Sequence, residues 1–171
     1  MRPVTLNKPK PLVEVGGKPL IQHHIERLRE AGFNDFVINV SYKAEMIQTY
    51  LGDGSELGVS IIYSEEEYAL ETAGAISRAA PLLGEEPFLL VNSDIWIDYP
   101  LIQLKTLRLM QSQGHLVLVD NPAHHPEGDF SLSASDESGL RWIGERALKD
   151  NYTFCGLSVL SVALISLYRD A

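Results

Sequence analysis

The stretch PFLLVNSD, residues 87–94, joins a short apolar run directly to three polar residues. Every side chain in Phe88–Val91 is apolar, so a strand formed here is buried on both faces, which is typical of a parallel sheet covered by helices. In open parallel sheets, ligands bind beyond the carboxyl ends of the strands. The stretch therefore predicts a buried strand and, at Asn92, Ser93 and Asp94, a candidate site.

Helical and strand patterns alternate on both sides of this strand. In the first helix, apolar residues recur at helical spacing, with a proline at its first turn and a glycine at its end. The predicted helices are 19–32, 43–52, 71–84 and about 100–112, and the predicted strands are 35–41, 58–66, 87–94 and 114–122. This alternation indicates an α/β fold with three layers, α/β/α, around a mostly parallel central sheet.

The last third of the chain has a different pattern. Residues 128–146 predict a hairpin with a polar turn near Asp136–Gly139, residues 152–161 predict a strand, and residues 162–171 predict a helix. Neither an internal repeat nor a linker interrupts the sequence. We therefore expect residues 1–171 to form a single domain.

Composition narrows the classes of partner. The formal net charge is −9, which disfavours nonspecific binding to nucleic acid or to an anionic membrane. The single cysteine, Cys155, excludes an internal disulfide and lies in an apolar run, where a buried thiol is expected. Since no apolar stretch approaches the length of a membrane span, we expect a cytoplasmic protein with neither nucleic acid nor membrane as a partner.

Asp94 is the first candidate for chemistry. A carboxylate at the open edge of the sheet can hold Mg²⁺, which is usually bound by one or two carboxylates together with phosphate oxygens. Equally, Asp94 could cap the next turn. Asp98, four residues further on, is better explained as a solvent-facing acid.

Three further groups of residues invite a functional interpretation. Lys8, Lys10 and Lys18 lie among prolines and glycines, which can present an ammonium group to a phosphate, although each alone could be an ordinary surface lysine. The small residues 72–75 would admit a flat ring close to the backbone, but tight helix packing explains them almost as well. Adjacent His124–His125 suggest zinc, yet neighbours in a loop rarely face one ion, so turn histidines are favoured.

Taken together, these residues resemble the sugar-1-phosphate nucleotidyltransferases, enzymes with a Rossmann-like α/β fold. Within the family, the segment VDNPAHHPEGDF is similar to the uridylyltransferases that act on N-acetylmuramate 1-phosphate in cell-wall peptidoglycan recycling. The matching strings are RPVTLNKPKPLV, GKPLI, YSEEEYALETAGAI, FLLVNSDIW, HLVLVDNPAHHPEGDFSL and TFCGLSVL, in family order over essentially the whole chain.

The resemblance also implies roles for single residues. In the family, the matching residues contact the nucleoside triphosphate, its metal ion or the sugar. Lys10 contacts the nucleotide phosphates, Asp94 binds magnesium, Thr72 and Gly74 line the base pocket, Asn92 and Asp129 contact the sugar phosphate, and Glu145 holds sugar hydroxyls. Two positions depart from the family pattern: Glu14 replaces a frequent proline, and Ser93 replaces the usual glycine before the metal aspartate.

Members of the family begin with a strand and a glycine-rich phosphate loop. Met1, Arg2 and Pro3 match only the tail of that signature, and the family's second metal-binding aspartate would follow Ala171. The resemblance thus implies a domain whose first strand and phosphate loop are missing. We expect these 171 residues alone to be weakly stable and nearly inactive, because phosphate-binding amides are absent and a sheet edge is unpaired.

The implied reaction couples a sugar 1-phosphate to a nucleoside triphosphate and releases pyrophosphate, with Mg²⁺ as the cofactor. N-acetylmuramate 1-phosphate and UTP are the expected substrates. Two alternatives stay open: a mannose-1-phosphate guanylyltransferase, or a non-catalytic fragment of the same fold that binds nucleotide-sugars or regulates. The sequence leaves the oligomeric state open.

Overall fold

The computed structural model describes residues 5, 7–66, 72–109, 114–137, 141–147 and 150–164. Within these residues, helices and strands alternate from Leu20 to Thr106, as the periodicity predicts. The strands are β1 (Glu14–Val15), β2 (Lys18–Pro19), β3 (Asp35–Val40), β4 (Ser60–Glu65), β5 (Phe88–Val91), β6 (Gly114–Val119), β7 (Phe130–Leu132), β8 (Ile143–Gly144) and β9 (Asn151–Leu160), and the helices are α1 (Leu20–Glu30), α2 (Ala44–Leu51), α3 (Thr72–Leu83) and α4 (Leu101–Thr106).

The predicted hairpin in residues 128–146 is also present, since β7 and β8 pair antiparallel. Helix α4 ends at Thr106, earlier than predicted, and the rest of that prediction, 110–112, falls outside the described residues. Of the predicted C-terminal helix, only residues 162–164 are described, and these are helical.

Strand pairing in the described residues is parallel in one sheet and antiparallel in the others, which corrects the expectation of one mostly parallel sheet. Strands β3 and β4 pair parallel in a two-stranded sheet, whereas β9 runs antiparallel between β5 and β6 and also pairs antiparallel with β7. A continuous apolar run indicates burial of both faces of a strand, but it does not indicate the direction of the neighbouring strands. All four residues of β5 are half-buried, and the partner of this strand is antiparallel.

Two hydrophobic clusters hold these elements together. In the first, Leu12 packs with Ile21 and Ile25 of α1 and with buried residues of α2, β3 and β4. The second surrounds β9, where Leu157 is fully buried, and includes Ile97 and Tyr99 from the segment after β5. Each cluster thus anchors a different segment of the chain.

A cavity of about 750 Å³ is lined by both β3 and β5, together with residues of α1 and α3. Among the described strands, β3 pairs only with β4 and β5 pairs only with β9. Each of these two strands therefore has one edge without a partner among the described strands. The two edges belong to separate sheets, and both sheets contribute residues to the lining of the cavity.

Candidate active site

The polar residues after β5 begin a loop, residues 92–99, that we name the acid loop. Its first residue is fixed to β9, because the Asn92 amide donates to the Gly156 carbonyl at 2.9 Å. Gly156 has φ +84°, and a Cβ at this position would lie only 2.6 Å from Cδ1 of Ile95. The close approach of β9 to the acid loop therefore requires glycine at position 156.

Lys10 reaches the acid loop from the other end of the chain. A short 3₁₀ turn, Lys10–Leu12, follows Pro9 and has a second proline inside it, so the backbone here has little freedom. Leu12 is buried in the first cluster, whereas the Lys10 side chain is 56% exposed. The turn thereby anchors its apolar residue and directs its cation outward.

The structure brings Lys10 and Asp94 together. Nζ of Lys10 lies 2.9 Å from Oδ2 of Asp94, although the two residues are 84 positions apart in the sequence. The Asp94 side chain is 37% exposed, so both charged groups are accessible to a ligand. A cation and a carboxylate held at the carboxyl end of β5 form a site that could bind a metal together with phosphate groups.

Other predicted site residues lie on the cavity. Asn92, Ser93 and Thr72 all belong to the lining of the cavity shared by β3 and β5. Gly74 lies in the first turn of α3, two residues after Thr72, and is half-buried. Thr72 and Asn92 thus face one space, although they come from different elements.

Asp129 and Glu145 lie in the hairpin region, and their environments differ. Oδ1 of Asp129 is 3.0 Å from Nε2 of His125, and Oδ2 accepts a 2.8 Å hydrogen bond from the Phe154 amide, so this carboxylate ties its loop to β9. Glu145 follows β8 and is exposed. The hydrogen bonds of Asp129 run to these partners and not to Lys10 or Asp94.

The alternatives left open by the sequence are resolved in part. Asp98 is 99% exposed and lies 3.5 Å from Arg27, as expected for a solvent-facing acid. His125 closes a turn onto the Pro122 carbonyl, which agrees with turn histidines rather than with a zinc site. Across the described residues, no cluster of three or more His, Cys, Asp or Glu side chains is placed to hold a metal ion.

The residues present suit Mg²⁺ better than a metal caged by protein groups. Mg²⁺ keeps several waters and is commonly held by one or two carboxylates plus the phosphates of a substrate. Asp94 supplies one exposed carboxylate, and Lys10 beside it offers a positive charge to the same phosphates. Asp94 is therefore the residue that would hold the ion.

Helix α1 contributes contacts that the sequence analysis missed. Nε2 of His24 is 2.8 Å from the Ile95 carbonyl, and Nη2 of Arg27 donates to the Tyr99 carbonyl at 3.4 Å. His24 shares the buried face of α1 with Leu20, Ile21, Ile25 and Leu28. A polar residue at an apolar helical position was the signal that could have found it.

The electrostatic environment of His24 differs from that of an exposed histidine. Burial lowers its pKa, the charges of Arg27 and His23 act in the same direction, and the hydrogen bond to Ile95 partly opposes them. The imidazole is therefore held neutral at pH 7, since the ordinary value is 6.5. A carbonyl oxygen only accepts, so the proton of this neutral ring lies on Nε2.

The sequence profile of the nucleotidyl transferase family matches residues 1–141. The chain belongs to this family. The expected likeness to sugar-1-phosphate nucleotidyltransferases is thereby confirmed at the level of the family.

Individual curated proteins also match the sequence of this chain. An N-acetylmuramate alpha-1-phosphate uridylyltransferase of Neisseria meningitidis serogroup B is 49% identical over 136 residues, 77% of this chain and 59% of the relative. A mannose-1-phosphate guanyltransferase of Candida albicans is 46% identical over 98% of this chain and 48% of the relative. The chain thus spans about half the length of the curated relatives it matches.

Solved structures agree on the fold. A UDP-glucose pyrophosphorylase complexed with UDP-glucose superposes with a TM-score of 0.78, at 19% identity, over 100% of this chain and 75% of that one. HddC from Yersinia pseudotuberculosis gives a TM-score of 0.68 at 26% identity, over 94% of this chain and 70% of that one. The Rossmann-like α/β class is therefore confirmed, with both parallel and antiparallel strand pairs among the described residues. None of the described helices combines the length and apolar character needed to cross a membrane.

Proposed function

We propose that the protein transfers a nucleotidyl group from a nucleoside triphosphate to a sugar 1-phosphate. The observation that carries this proposal is the 2.9 Å approach of Lys10 to Asp94 at the carboxyl end of β5, in a chain of the nucleotidyl transferase family. Both groups are accessible, and together they offer a cation and a metal ligand to one triphosphate.

In the proposed reaction, a phosphate oxygen of the sugar 1-phosphate attacks the α-phosphorus of the nucleoside triphosphate. A new P–O bond forms, the bond from the α-phosphorus to the bridging oxygen breaks, and that electron pair leaves with pyrophosphate. Because the attacking oxygen is already an anion, no general base is required. The main barrier is to bring two anions together and to stabilise the charge that develops on phosphorus.

The chain's own residues act on that barrier. The ammonium group of Lys10 neutralises phosphate charge, and the rigid proline-containing turn keeps it in place. Asp94 would hold Mg²⁺, which when bound supplies further positive charge to the phosphates. Positioning of the two substrates by the remaining residues lowers the entropic cost of their encounter.

Roles for the remaining predicted residues form part of the proposal. We assign the base pocket to Thr72 and Gly74, contact with the sugar phosphate to Asn92, and the sugar hydroxyls to Glu145, whose exposed position leaves it accessible. Support for Thr72 and Asn92 comes from the cavity that both line. We also assign Asp129 to the sugar phosphate: its carboxylate is held by His125 and Phe154 and, with about four acceptor positions, can take a further contact.

For the substrate pair, N-acetylmuramate 1-phosphate and UTP are favoured by the relative at 49% identity. This pair implies a role in peptidoglycan recycling, in the cytoplasm where nucleoside triphosphates are found. Mannose 1-phosphate and GTP form the second candidate pair, because the Candida relative matches nearly the whole chain.

Release of pyrophosphate by the protein at its natural length tests both pairs. UTP and GTP are each offered with N-acetylmuramate 1-phosphate and with mannose 1-phosphate, in Mg²⁺. We expect UTP with N-acetylmuramate 1-phosphate to give the highest kcat/KM. Faster turnover of GTP with mannose 1-phosphate would replace the first pair by the second, and binding of nucleotide-sugar without any pyrophosphate would favour a non-catalytic relative.

A further inference from the structure

Helix α1 contacts both halves of the proposed site. On one side, Leu12, two residues after Lys10, packs in the first cluster with Ile21 and Ile25 of α1. On the other side, α1 binds the acid loop through His24. Lys10 and Asp94 are thus both positioned by contacts with α1, although their segments are anchored in different hydrophobic clusters.

The contact with His24 falls next to the proposed metal ligand. Ile95 directly follows Asp94, and the 2.8 Å hydrogen bond from Nε2 of His24 to the Ile95 carbonyl fixes the peptide that joins Ile95 to Trp96. The 2.9 Å bond from the Asn92 amide to Gly156 fixes the backbone before it. Asp94 is therefore held between two backbone anchors, of which one comes from β9 and the other from α1.

Further contacts to the same loop come from the neighbours of His24 on α1. Nη2 of Arg27 donates to the Tyr99 carbonyl at 3.4 Å. The ring of His23 meets the ring of Trp96 edge-on, with centroids 5.3 Å apart. The helix thus holds the acid loop at several points along its length.

His24 is the buried member of this set, with 9% of the residue exposed. Loss of its hydrogen bond would leave a buried carbonyl or a buried imidazole without its partner, which is costly. A hydrophobic side chain would satisfy the apolar face of α1 equally well, so packing alone does not account for a histidine here. The hydrogen bond to the acid loop does.

We propose that His24 is a positioning residue that holds the acid loop so that Asp94 faces Lys10. In this proposal His24 acts through the Ile95 carbonyl and not on the reacting atoms. This inference rests on the proposed function, because the orientation of Asp94 matters for catalysis only if Asp94 binds the metal of the reaction.

Two substitutions at position 24 separate the hydrogen bond from packing. His24→Leu keeps an apolar side chain and removes the donor, whereas His24→Gln retains an N–H at a similar reach. Ile47→Val is the matched control, since Ile47 is buried in the first cluster with Ile21 and Ile25 of α1 but lies on α2. All variants are made in the protein at its natural length.

The first readout is hydrogen exchange of the Asn92 backbone amide, which is hydrogen-bonded to Gly156 at the start of the acid loop. The measurement needs no substrate. His24→Leu should speed this exchange by about tenfold, because the loop loses its anchor on α1 and opens more often. His24→Gln should stay within about threefold of the wild type, and Ile47→Val should leave the loop unchanged. Equal exchange in His24→Leu and the wild type would overturn the inference.

The second readout is the dependence of the rate on Mg²⁺. His24→Leu should need about tenfold more Mg²⁺ for its half-maximal rate, with kcat largely restored at saturating Mg²⁺, and His24→Gln should behave like the wild type. A purely structural role would lower stability without this shift. An unchanged Mg²⁺ requirement in His24→Leu contradicts the proposal.

If His24→Leu does not fold, Arg27→Met takes its place, since Arg27 contacts the same loop from a less buried position. It should speed exchange of the same Asn92 amide, and unchanged exchange would count against the proposal. Failure of the proposed function is distinguishable: a wild type that releases no pyrophosphate refutes that function, while loop exchange still decides the role of His24. Turnover by the wild type with unaltered loop exchange in His24→Leu refutes the role of His24 alone.

Discussion

Replacing Asp94 by asparagine should abolish function while leaving stability almost unchanged. Coulomb's law gives about 1.4 kcal/mol for two unit charges 2.9 Å apart in bulk water. Lys10 and Asp94 are 56% and 37% exposed, so solvent screening and side-chain entropy reduce the net contribution to at most about 1 kcal/mol. For a protein of this size, that corresponds to a fall in Tm of about 2–4 °C or less.

The expected effect on turnover is much larger. Loss of one preorganised group that stabilises developing charge typically costs about 10²- to 10³-fold in kcat. We would measure pyrophosphate release and thermal unfolding of the same Asp94→Asn preparation at natural length. Asp98→Asn is the matched control, because it removes the same charge from the same loop at a side chain that is 99% exposed.

Two results would refute this reasoning. If Asp94→Asn retained more than about a tenth of the wild-type rate, Asp94 would not be the metal ligand. If Tm instead fell by more than about 8 °C, the carboxylate would be a structural group whose loss cannot be read as chemistry. Asp98→Asn should leave both the rate and Tm close to those of the wild type.

Three further predictions concern the framework of the site. Gly156→Ala should lower Tm and turnover more than Gly84→Ala: both glycines have positive φ, but the new Cβ at 156 would lie 2.6 Å from the acid loop, whereas nothing lies within 4 Å at 84. Leu157→Ala, at a fully buried position, should cost about 2–5 kcal/mol in urea unfolding. Burial lowers the pKa of His24 and His115. As the pH falls below about 6.5, the unfolded state therefore takes up protons before the folded state does, and the free energy of unfolding decreases. His24→Gln should make this decrease shallower, and an unchanged slope would contradict the prediction.

The sequence was sufficient to predict the type and order of most elements. Helices α1 and α2 and strands β3 to β5 occur where the periodicity places them, because burial of one helical face or of whole strands leaves a clear pattern. Sheet direction was predicted wrongly, since β5 is apolar throughout yet pairs antiparallel with β9. The partner strand, β9, lies in the last third of the chain, and nothing in the residues of β5 itself indicates which strand it pairs with.

The site was predictable only in part. Lys10 and Asp94 were selected by their residue types, by the end of a strand and by resemblance, and the structure places them 2.9 Å apart. The roles given to the site residues all stay predictions: Lys10, Asp94, Thr72, Gly74, Asn92, Asp129 and Glu145. His24 was missed because it is the same residue type as its neighbour His23. Only the position of each residue along the helical repeat shows that His24, and not His23, faces the core.

A double-mutant cycle on pyrophosphate release tests most directly whether Lys10 and Asp94 serve one bound triphosphate. Lys10→Met, Asp94→Asn and the double variant are compared with the wild type, each at natural length and matched for folding by thermal unfolding. Groups that act on the same charge are coupled, so we predict that the double variant is no more than about threefold slower than the slower single variant. If the two rate losses instead multiply in full, the residues act independently and the proposed site is wrong.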